Sequence, residues 1–456
     1  MAGIGFELRK LLVKENLTSW LQAYAYAGII GSGPWVISIV ALIIVGFLSY
    51  AVVVPGTLIT QFQVTVTWLI AGSLTLTGLM QLLYTRFIAD SLFRHETHKV
   101  LPTFHGLLLL TTVVSGSLSL PFALFCFPAQ TLAYRILFMA CFVLLSNIWI
   151  ATTLLSGLKE YKQVVGLYLL GYGVGVASSL VLRPSGLEGL LLGFAIGQTL
   201  LLAGMMLLVA RYYPSHSFLS FEFLPACKVY PSLMAVGFLY NLGIWADKFI
   251  FWMSPDTSSA IIGPLRASEI YDLPIFMSYL SIIPGMAVFL LRMETDFVEY
   301  YDKFYDAVRT GASLEYIESM RNEMVWTARQ GLTDIIKIQS IAVVSIFIAG
   351  PPLLRWLRIS DLYESLLYID VIAAGLQVVF LGLLNVFFYL DQRRSVLFLT
   401  TLFAISNIAF TTLTLHLGAP WFGYGFAISL LLVVVLGLLI LDRKLEDLEY
   451  ETFMLQ

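Results

Sequence analysis

Long apolar runs constrain this chain more than any other feature of its sequence. Twelve stretches are nearly free of charged side chains, and short polar turns separate most of them. A helix of ~20 apolar residues crosses a bilayer core about 30 Å thick and satisfies its backbone hydrogen bonds internally. The sequence therefore predicts an all-α, polytopic membrane protein with about twelve transmembrane helices. The runs lie near 24–52, 62–88, 104–126, 132–156, 164–182, 187–210, 229–252, 270–291, 335–355, 364–390, 396–416 and 420–441.

The composition excludes a water-soluble protein. Hydrophobic residues make up 59% of the 456 positions and charged residues 12%, whereas a soluble domain carries about 25% charged residues. The net charge of −3 and the absence of a basic tract argue against a nucleic-acid partner. The three cysteines have no paired spacing, so neither a disulfide nor a metal site is expected, and the sequence predicts no cofactor.

The positions of Lys and Arg predict the orientation of the spans. Of the 26 basic residues, 20 fall on one side of the predicted bundle and five on the other, while Lys248 lies inside a span. Because basic loops remain in the cytoplasm, both termini are predicted to be cytoplasmic. Residues 4–21 place Ile4 and several leucines at helical spacing opposite Arg9, Lys10 and Lys14, which predicts an amphipathic helix in the inner interface.

A polar segment at 211–230 divides the spans into six and six. The predicted domains are an N-terminal six-helix bundle with the interfacial helix at 1–210, a cytoplasmic linker at 211–230, and a C-terminal six-helix bundle at 231–456. Within the last domain, a cytoplasmic loop at 293–337 carries aromatic residues at helical spacing and is predicted to be helical. These residues form either a packed face of the loop or a docking surface for a cytoplasmic partner. The candidate docking residues are Tyr300, Tyr301, Phe304 and Tyr305.

A weak internal repeat relates the two predicted bundles. A shift of 232 residues places residues 193–196 on the identical residues 425–428. Because six spans is an even number, both bundles enter the membrane in the same sense, as in transporters with parallel repeats. The same shift pairs Gly186 with Gly418 and Lys162 with Arg394.

Polar side chains inside the spans are the candidate functional residues, because burying them in lipid is costly unless they face protein or water. Two interpretations stay open. They line a substrate path or gate, or they join helices to one another at ~1–2 kcal/mol each. Adjacent residues of a helix point about 100° apart, so Lys248 could extend outward while Asp247 faces the bundle. The candidates are Asn147, Gln198, Asn241, Asp247, Lys248, Asp370 and Gln377.

The first span is interrupted by glycines and a proline. Gly31, Gly33 and Pro34 permit a kink, since proline removes a backbone hydrogen bond and glycine tolerates the bend. A kink of this kind serves either as a hinge or as a packed irregularity, and the sequence favours neither. We treat the three residues as candidate hinge residues.

No motif predicts an enzyme. The chain has neither a phosphate-binding Walker loop nor a GxSxG nucleophile elbow. Glu294 and Asp296 form the one E-x-D pattern at an inner membrane face that could hold a metal for glycosyl transfer. The 45 residues at 293–337 leave no room for a nucleotide-sugar domain, so this pattern is interpreted as the charged end of a span.

Several stretches resemble one family, the PelG proteins. They are residues 3–10, residues 27–35, and residues 294–297 followed by the tyrosines at 300–301. The resemblance implies a member of the MOP flippase superfamily in the bacterial inner membrane, with two six-helix bundles. It implies export of Pel, an exopolysaccharide of biofilms that is rich in N-acetylgalactosamine. It also implies three kinds of partner: a cytoplasmic glycosyltransferase, a membrane scaffold and a cyclic-di-GMP-sensing subunit.

Three transport functions fit the residues. The first is passage of a growing polysaccharide from its synthase across the membrane. The second is flipping of a lipid-linked oligosaccharide by the same architecture. The third is cation-coupled multidrug export, which requires a buried carboxylate beside an apolar cavity. Amides scattered over several spans favour the first over the third, and the resemblance favours the first over the second.

Overall fold

A computed structural model describes residues 17–50, 53, 55–158, 160–356, 360 and 363–454 of the chain. In this part, eleven helical segments are long and apolar enough to cross a membrane. Most of the amphipathic helix predicted at 4–21 lies outside the described residues, and the chain is helical from Leu17 onward.

One of the eleven segments contains two spans. Lys162–Tyr212 has 51 residues, which as a straight helix would be about 76 Å long, more than twice the thickness of a bilayer core. A 3-10 turn at Arg183–Ser185 interrupts it, and the hydroxyl of Ser179 donates a hydrogen bond of 3.0 Å to the carbonyl of Leu190 across the turn. The segment is therefore an antiparallel hairpin, and the prediction of about twelve transmembrane helices is confirmed.

The chain forms two compact units. The N-terminal unit is Pro34–Glu269, and the C-terminal unit is Ile270–Gln456 together with the residues up to Gly33. These limits differ from the domains predicted at 1–210, 211–230 and 231–456. The predicted division into two six-helix bundles therefore stays a prediction.

The N-terminal unit begins inside the first helix and includes the helix predicted as the seventh span. A close crossing explains the second feature, because a Cβ atom on Gly78 would lie 2.6 Å from the carbonyl oxygen of Gly237. The elements of this unit are α1 (Leu17–Ser49, from Pro34), α2 (Thr57–Phe93), α3 (Val100–Cys126), α4 (Leu132–Gly157), α5 (Tyr161–Leu182), α6 (Gly186–Tyr212), α7 (Ala226–Val229), α8 (Pro231–Met253), and the antiparallel strands β1 (Ser259–Ile262) and β2 (Leu265–Ala267).

The C-terminal unit contains helices that are longer than a membrane crossing. Its elements are α9 (Glu269–Tyr279), α10 (Ile283–Leu291), α11 (Val298–Thr310), α12 (Leu314–Trp356), α13 (Glu364–Tyr389), α14 (Arg393–Leu417), α15 (Tyr424–Glu446) and α16 (Leu448–Met454). A six-residue π-helical turn joins α10 to α11, and Gly311, with φ 67°, ends α11. The loop predicted at 293–337 is therefore helical, as expected, and consists of this turn, α11 and the first half of α12.

The sequence repeat is also a structural repeat. Helix α4 shifted by 232 residues coincides with α13, and α5 and α6 shifted in this way overlap α14 and α15. Gly193 and Gly425 make the same contact, because a Cβ atom on either would collide with a backbone, that of Ser179 and that of Thr411, respectively. Ser179 and Thr411 are also 232 positions apart. Each unit thus contains the same glycine-dependent helix hairpin.

Candidate functional site

Asp247 and Lys248 form a buried ion pair on α8. Lys248 Nζ lies 3.1 Å from Asp247 Oδ2 and donates a hydrogen bond of 2.8 Å to the carbonyl of Ile244. Both side chains are at most 1% exposed. The alternative in which Lys248 extends outward is therefore wrong, because its flexible stem folds back onto its own helix. Removing one partner of such a pair leaves an uncompensated buried charge, at a cost of ~3–5 kcal/mol.

An aromatic cluster surrounds the same part of α8. The rings of Trp68 and Trp252 have centroids 4.8 Å apart, and the indole N–H of Trp68 donates a hydrogen bond of 2.8 Å to the carbonyl of Arg266 in β2. The spacing of residues 245, 249 and 252 is a sequence signal for this cluster, because it places three aromatic side chains on one face of a helix. The members of the cluster are Trp35, Trp68, Trp245, Phe249 and Trp252.

Two of the predicted amides join or line helix contacts in the N-terminal unit. Asn241 donates a hydrogen bond of 3.0 Å to the carbonyl of Gly237, beside the crossing of α2 and α8. Asn147 donates one of 2.9 Å to the hydroxyl of Thr112, which connects α4 to α3. The contact of Asn147 fits the interpretation that these amides hold helices together, whereas the hydrogen bond of Asn241 stays within α8.

Gln198 has different surroundings. Its side chain is fully buried and lines a small cavity with Tyr172, Ser179, Phe62 and other residues of α1 and α5. Among the described residues, neither atom of its amide makes a well-formed hydrogen bond, but the hydroxyl of Tyr172 lies within reach of it. Gln198 is therefore a buried amide at a cavity, a setting that suits contact with a ligand.

The two remaining polar candidates lie on α13 in the C-terminal unit. Asp370 is fully buried and adjoins the start of α15, since a Cβ atom on Gly423 would lie 2.9 Å from its Oδ1. The N-terminus of a helix carries a partial positive charge that stabilises a carboxylate. Gln377 is half-buried, and its Oε1 has no described hydrogen-bond partner. The structure therefore does not gather the seven candidates into one cluster in either unit.

The candidate hinge lies within an unbroken helix. Helix α1 continues through Pro34, and the division between the two units falls between Gly33 and Pro34. Gly31 permits a close contact, because a Cβ atom there would lie 3.2 Å from the carbonyl oxygen of Met286 in α10. The role of Gly31, Gly33 and Pro34 as a hinge stays a prediction.

The candidate docking residues are mostly turned inward. Phe304 is fully buried, and the ring of Tyr301 packs 5.3 Å from that of Tyr389 and 4.6 Å from that of Tyr305. Tyr300 lies beneath the ammonium group of Lys303, at 5.0 Å. In this conformation Phe304 is enclosed in its own unit and is not exposed to a partner, so a docking role is left to the three tyrosines.

Sequence reasoning missed Gln339 on α12. This residue is 3% exposed, and its Nε2 donates a hydrogen bond of 3.1 Å to the carbonyl of Ser281. Gly285 and Gly375 flank it so closely that a Cβ atom on either would collide with its side chain. The two glycines form a slot for this amide, and only the tertiary contact shows it.

Comparison with known proteins identifies the family. The family model of PelG, described as "Putative exopolysaccharide Exporter (EPS-E)", matches residues 1–453. The chain belongs to the PelG family. This match confirms the predicted resemblance and agrees with the prediction that the chain is a transporter and not an enzyme. No curated protein matches the chain.

Solved structures show that this PelG-family chain has the fold of the MOP superfamily. The MATE transporter VcmN of Vibrio cholerae, solved in a mutant form, is 11% identical with a TM-score of 0.66, and the match covers 97% of this chain and 98% of that one. A MOP superfamily transporter from Pyrococcus furiosus is 13% identical with a TM-score of 0.61, covering 94% and 96%. An outward-facing multidrug resistance MATE transporter of the MOP superfamily is 14% identical with a TM-score of 0.58, covering 94% and 97%.

Proposed function

We propose that this chain carries the Pel polysaccharide, rich in N-acetylgalactosamine, across the bacterial inner membrane as it leaves a cytoplasmic glycosyltransferase. The observation that supports the proposal is the match to the exopolysaccharide exporter family over residues 1–453, on a chain with a transporter fold. The membrane scaffold and the cyclic-di-GMP-sensing subunit are its further proposed partners. The excess of basic residues on one side supports cytoplasmic termini.

The internal repeat supports a gated mechanism. Transporters with repeats of the same orientation move the repeats against each other around a substrate site near the midplane of the bilayer. We place the proposed hinge at Gly31, Gly33 and Pro34, where the two units divide. Of the polar residues, Gln198 is the best candidate for contact with substrate, because its amide is buried at a cavity without a partner of good geometry.

Reconstitution tests the proposal. The purified chain is placed in liposomes with and without the glycosyltransferase and its nucleotide-sugar substrate outside, and polymer in the lumen is measured after external polymer has been digested. We expect lumenal polymer only when both proteins are present. Lumenal polymer without this chain would overturn the proposal. So would uptake of a lipid-linked oligosaccharide or of a cationic drug in place of polymer.

A further inference from the structure

Glu294 occupies an unusual piece of backbone. It lies in the π-helical turn Arg292–Phe297 between α10 and α11. Such turns are rare, and they occur frequently at functional sites because the extra residue changes the direction of the following side chains. Here the turn directs Glu294 toward α13, where its carboxylate accepts hydrogen bonds from Asn385 Nδ2 at 3.0 Å and from the hydroxyl of Tyr389 at 3.1 Å.

The charge of Glu294 is not neutralised by a neighbouring cation. The nearest arginine in sequence, Arg292, lies 2.9 Å from Asp296 and 3.0 Å from Asp334, so two other carboxylates bind it. Among the described residues Glu294 makes no ion pair, and both of its hydrogen-bond donors are neutral. A half-buried carboxylate with two hydrogen-bond donors has lone pairs left to accept further hydrogen bonds.

A second acceptor and several aromatic rings adjoin this carboxylate. The Oδ1 atom of Asn385 has no described hydrogen-bond partner. The centroid of the Tyr389 ring lies 5.3 Å from that of Tyr301 and 5.6 Å from that of Phe297. The ring of Tyr305 extends the row, with its centroid 4.6 Å from that of Tyr301. Tyr301, Tyr305 and Tyr389 are half-buried, so part of each is accessible.

This combination is suited to a sugar. Pyranose rings offer hydroxyl donors at their edges and apolar C–H faces, which pair with acceptors such as a carboxylate and an amide oxygen, and with aromatic faces. The cluster also has a suitable place in the chain. It lies where α10 and α13 reach the helical loop that is predicted to be cytoplasmic, the side from which a growing polymer would arrive.

We propose that Glu294, Asn385 and Tyr389, with the rings of Tyr301 and Tyr305, bind a sugar unit of the polysaccharide at the cytoplasmic entrance of the transport path. The sugar hydroxyls donate to Glu294, which Asn385 and Tyr389 hold in place, and the C–H face of the ring packs on Tyr301. This inference rests on the proposed function for the nature of its ligand. It gives the 294–297 and 300–301 motifs a role in binding substrate.

Binding to the purified full-length chain in nanodiscs tests the site. The probe is a short oligosaccharide of N-acetylgalactosamine, titrated by calorimetry. Glu294→Gln is expected to weaken binding about tenfold, the equivalent of ~1.4 kcal/mol. Tyr301→Leu is expected to weaken it at least as much, while Tyr301→Phe, which keeps the ring, binds like the wild type. Tyr316→Leu is the matched control, since Tyr316 is a tyrosine on α12 that is 48% exposed and outside the cluster.

The two Tyr301 variants keep the test decisive if Glu294→Gln fails to fold, because they examine the aromatic ring and leave the carboxylate unchanged. If Glu294→Gln and Tyr301→Leu lower the melting temperature but leave the affinity of the folded protein unchanged, the cluster is a structural link between helices and the inference is wrong. A partly deacetylated probe whose tighter binding weakens with salt would show that Glu294 binds an ammonium group as well.

The liposome transport assay, read together with the binding assay, separates this inference from the proposed function. If the wild type binds the oligosaccharide but moves no polymer in the liposome assay, the proposed function fails and the site stands. If the wild type moves polymer and Glu294→Gln and Tyr301→Leu move it equally well at equal membrane levels, with unchanged affinity, the proposed function stands and the site fails.

Discussion

Each unit contains one copy of the repeated hairpin, α5 and α6 in the N-terminal unit and α14 and α15 in the C-terminal unit. The two copies have the same backbone arrangement but differ in the polarity of their buried side chains. In both, a glycine packs against the backbone of the preceding helix at the same position of the repeat. The buried Gln198 of the first hairpin corresponds to Leu430 in the second, and Tyr172 corresponds to Ala404.

The polar residues of α13 show the reverse relation. Asp370 in the C-terminal unit corresponds to Phe138 in the N-terminal unit, and Gln377 corresponds to Leu145. The comparison teaches that small residues at helix contacts preserve the repeated scaffold. In lipid no hydrophobic effect drives helices together, so close packing at small residues holds them in place. The buried amides and carboxylates of these pairs, in contrast, are specific to one unit, so they belong to the chemistry of that unit and not to the fold.

The largest effect is expected from the shared glycines. Gly193→Ala and Gly425→Ala should each destabilise the chain by several kcal/mol (~3 or more), because the added Cβ atom collides with a backbone that cannot move away independently. Thermal unfolding in detergent measures the effect. Gly173→Ala is the matched control, since nothing lies within 4 Å of its Cβ position. If the chain tolerated one of the two substitutions and not the other, the conclusion that the two glycines make equivalent contacts would be wrong.

The second prediction concerns the ion pair that only the N-terminal unit contains. Asp247→Asn should destabilise the chain by ~3–5 kcal/mol, because Lys248 is then left charged and buried. The double variant Asp247→Asn with Lys248→Met should regain most of that loss. Unfolding temperatures of the single and double variants measure the coupling. Equal stability of the wild type and Asp247→Asn would show that Lys248 is neutral or has another counter-charge.

A smaller effect is expected from the carboxylate of the C-terminal unit. Asp370→Asn should cost about 1–2 kcal/mol, because an amide still fits at the start of α15 but the interaction of a negative charge with the helix dipole is lost. The same unfolding assay measures it, and Ile372→Leu, at an exposed position of the same helix, serves as control. If Asp370→Asn were as damaging as Asp247→Asn, the contrast between a paired and a helix-terminal carboxylate would be wrong.

The smallest effect on stability is expected from exchanging the repeat-related residues of the hairpins. Gln198→Leu gives the N-terminal unit the residue that the C-terminal unit has at Leu430. It should change stability by ~1 kcal/mol or less, because the lost amide makes at most one poorly aligned hydrogen bond, with the hydroxyl of Tyr172. Lumenal polymer in the liposome assay should nevertheless fall. Unchanged transport would remove Gln198 from the substrate path.

Much of the fold could be predicted from the sequence, because the bilayer imposes a length and polarity on each span. The repeat could be predicted as well, because residues 193–196 and 425–428 are identical. Gly193 and Gly425 within them are each needed for one close helix contact. The membership of α8 in the N-terminal unit was not visible, because it depends on a crossing at Gly78 and Gly237 that is remote in sequence.

The candidate site was less predictable. Helical geometry suggested that Asp247 and Lys248 point apart, but the stem of Lys248 is long enough to return to the adjacent carboxylate. The environment of Glu294 was hidden because a π-helical turn breaks the 3.6-residue period on which facing arguments depend. Gln339 was hidden for another reason, since its slot is formed by glycines from two other helices.

The length of α12 gives that slot a mechanical meaning. The helix has 43 residues, about 65 Å at 1.5 Å per residue, and Gln339 lies 25 residues from its start, some 37 Å along the axis. No proline or π-helical turn interrupts α12 between its start and Gln339, so we expect this part of the helix to move as a rigid rod. A protein that pulled on the N-terminal end of α12 would therefore also displace the buried amide of Gln339, because no break in the helix lies between the two.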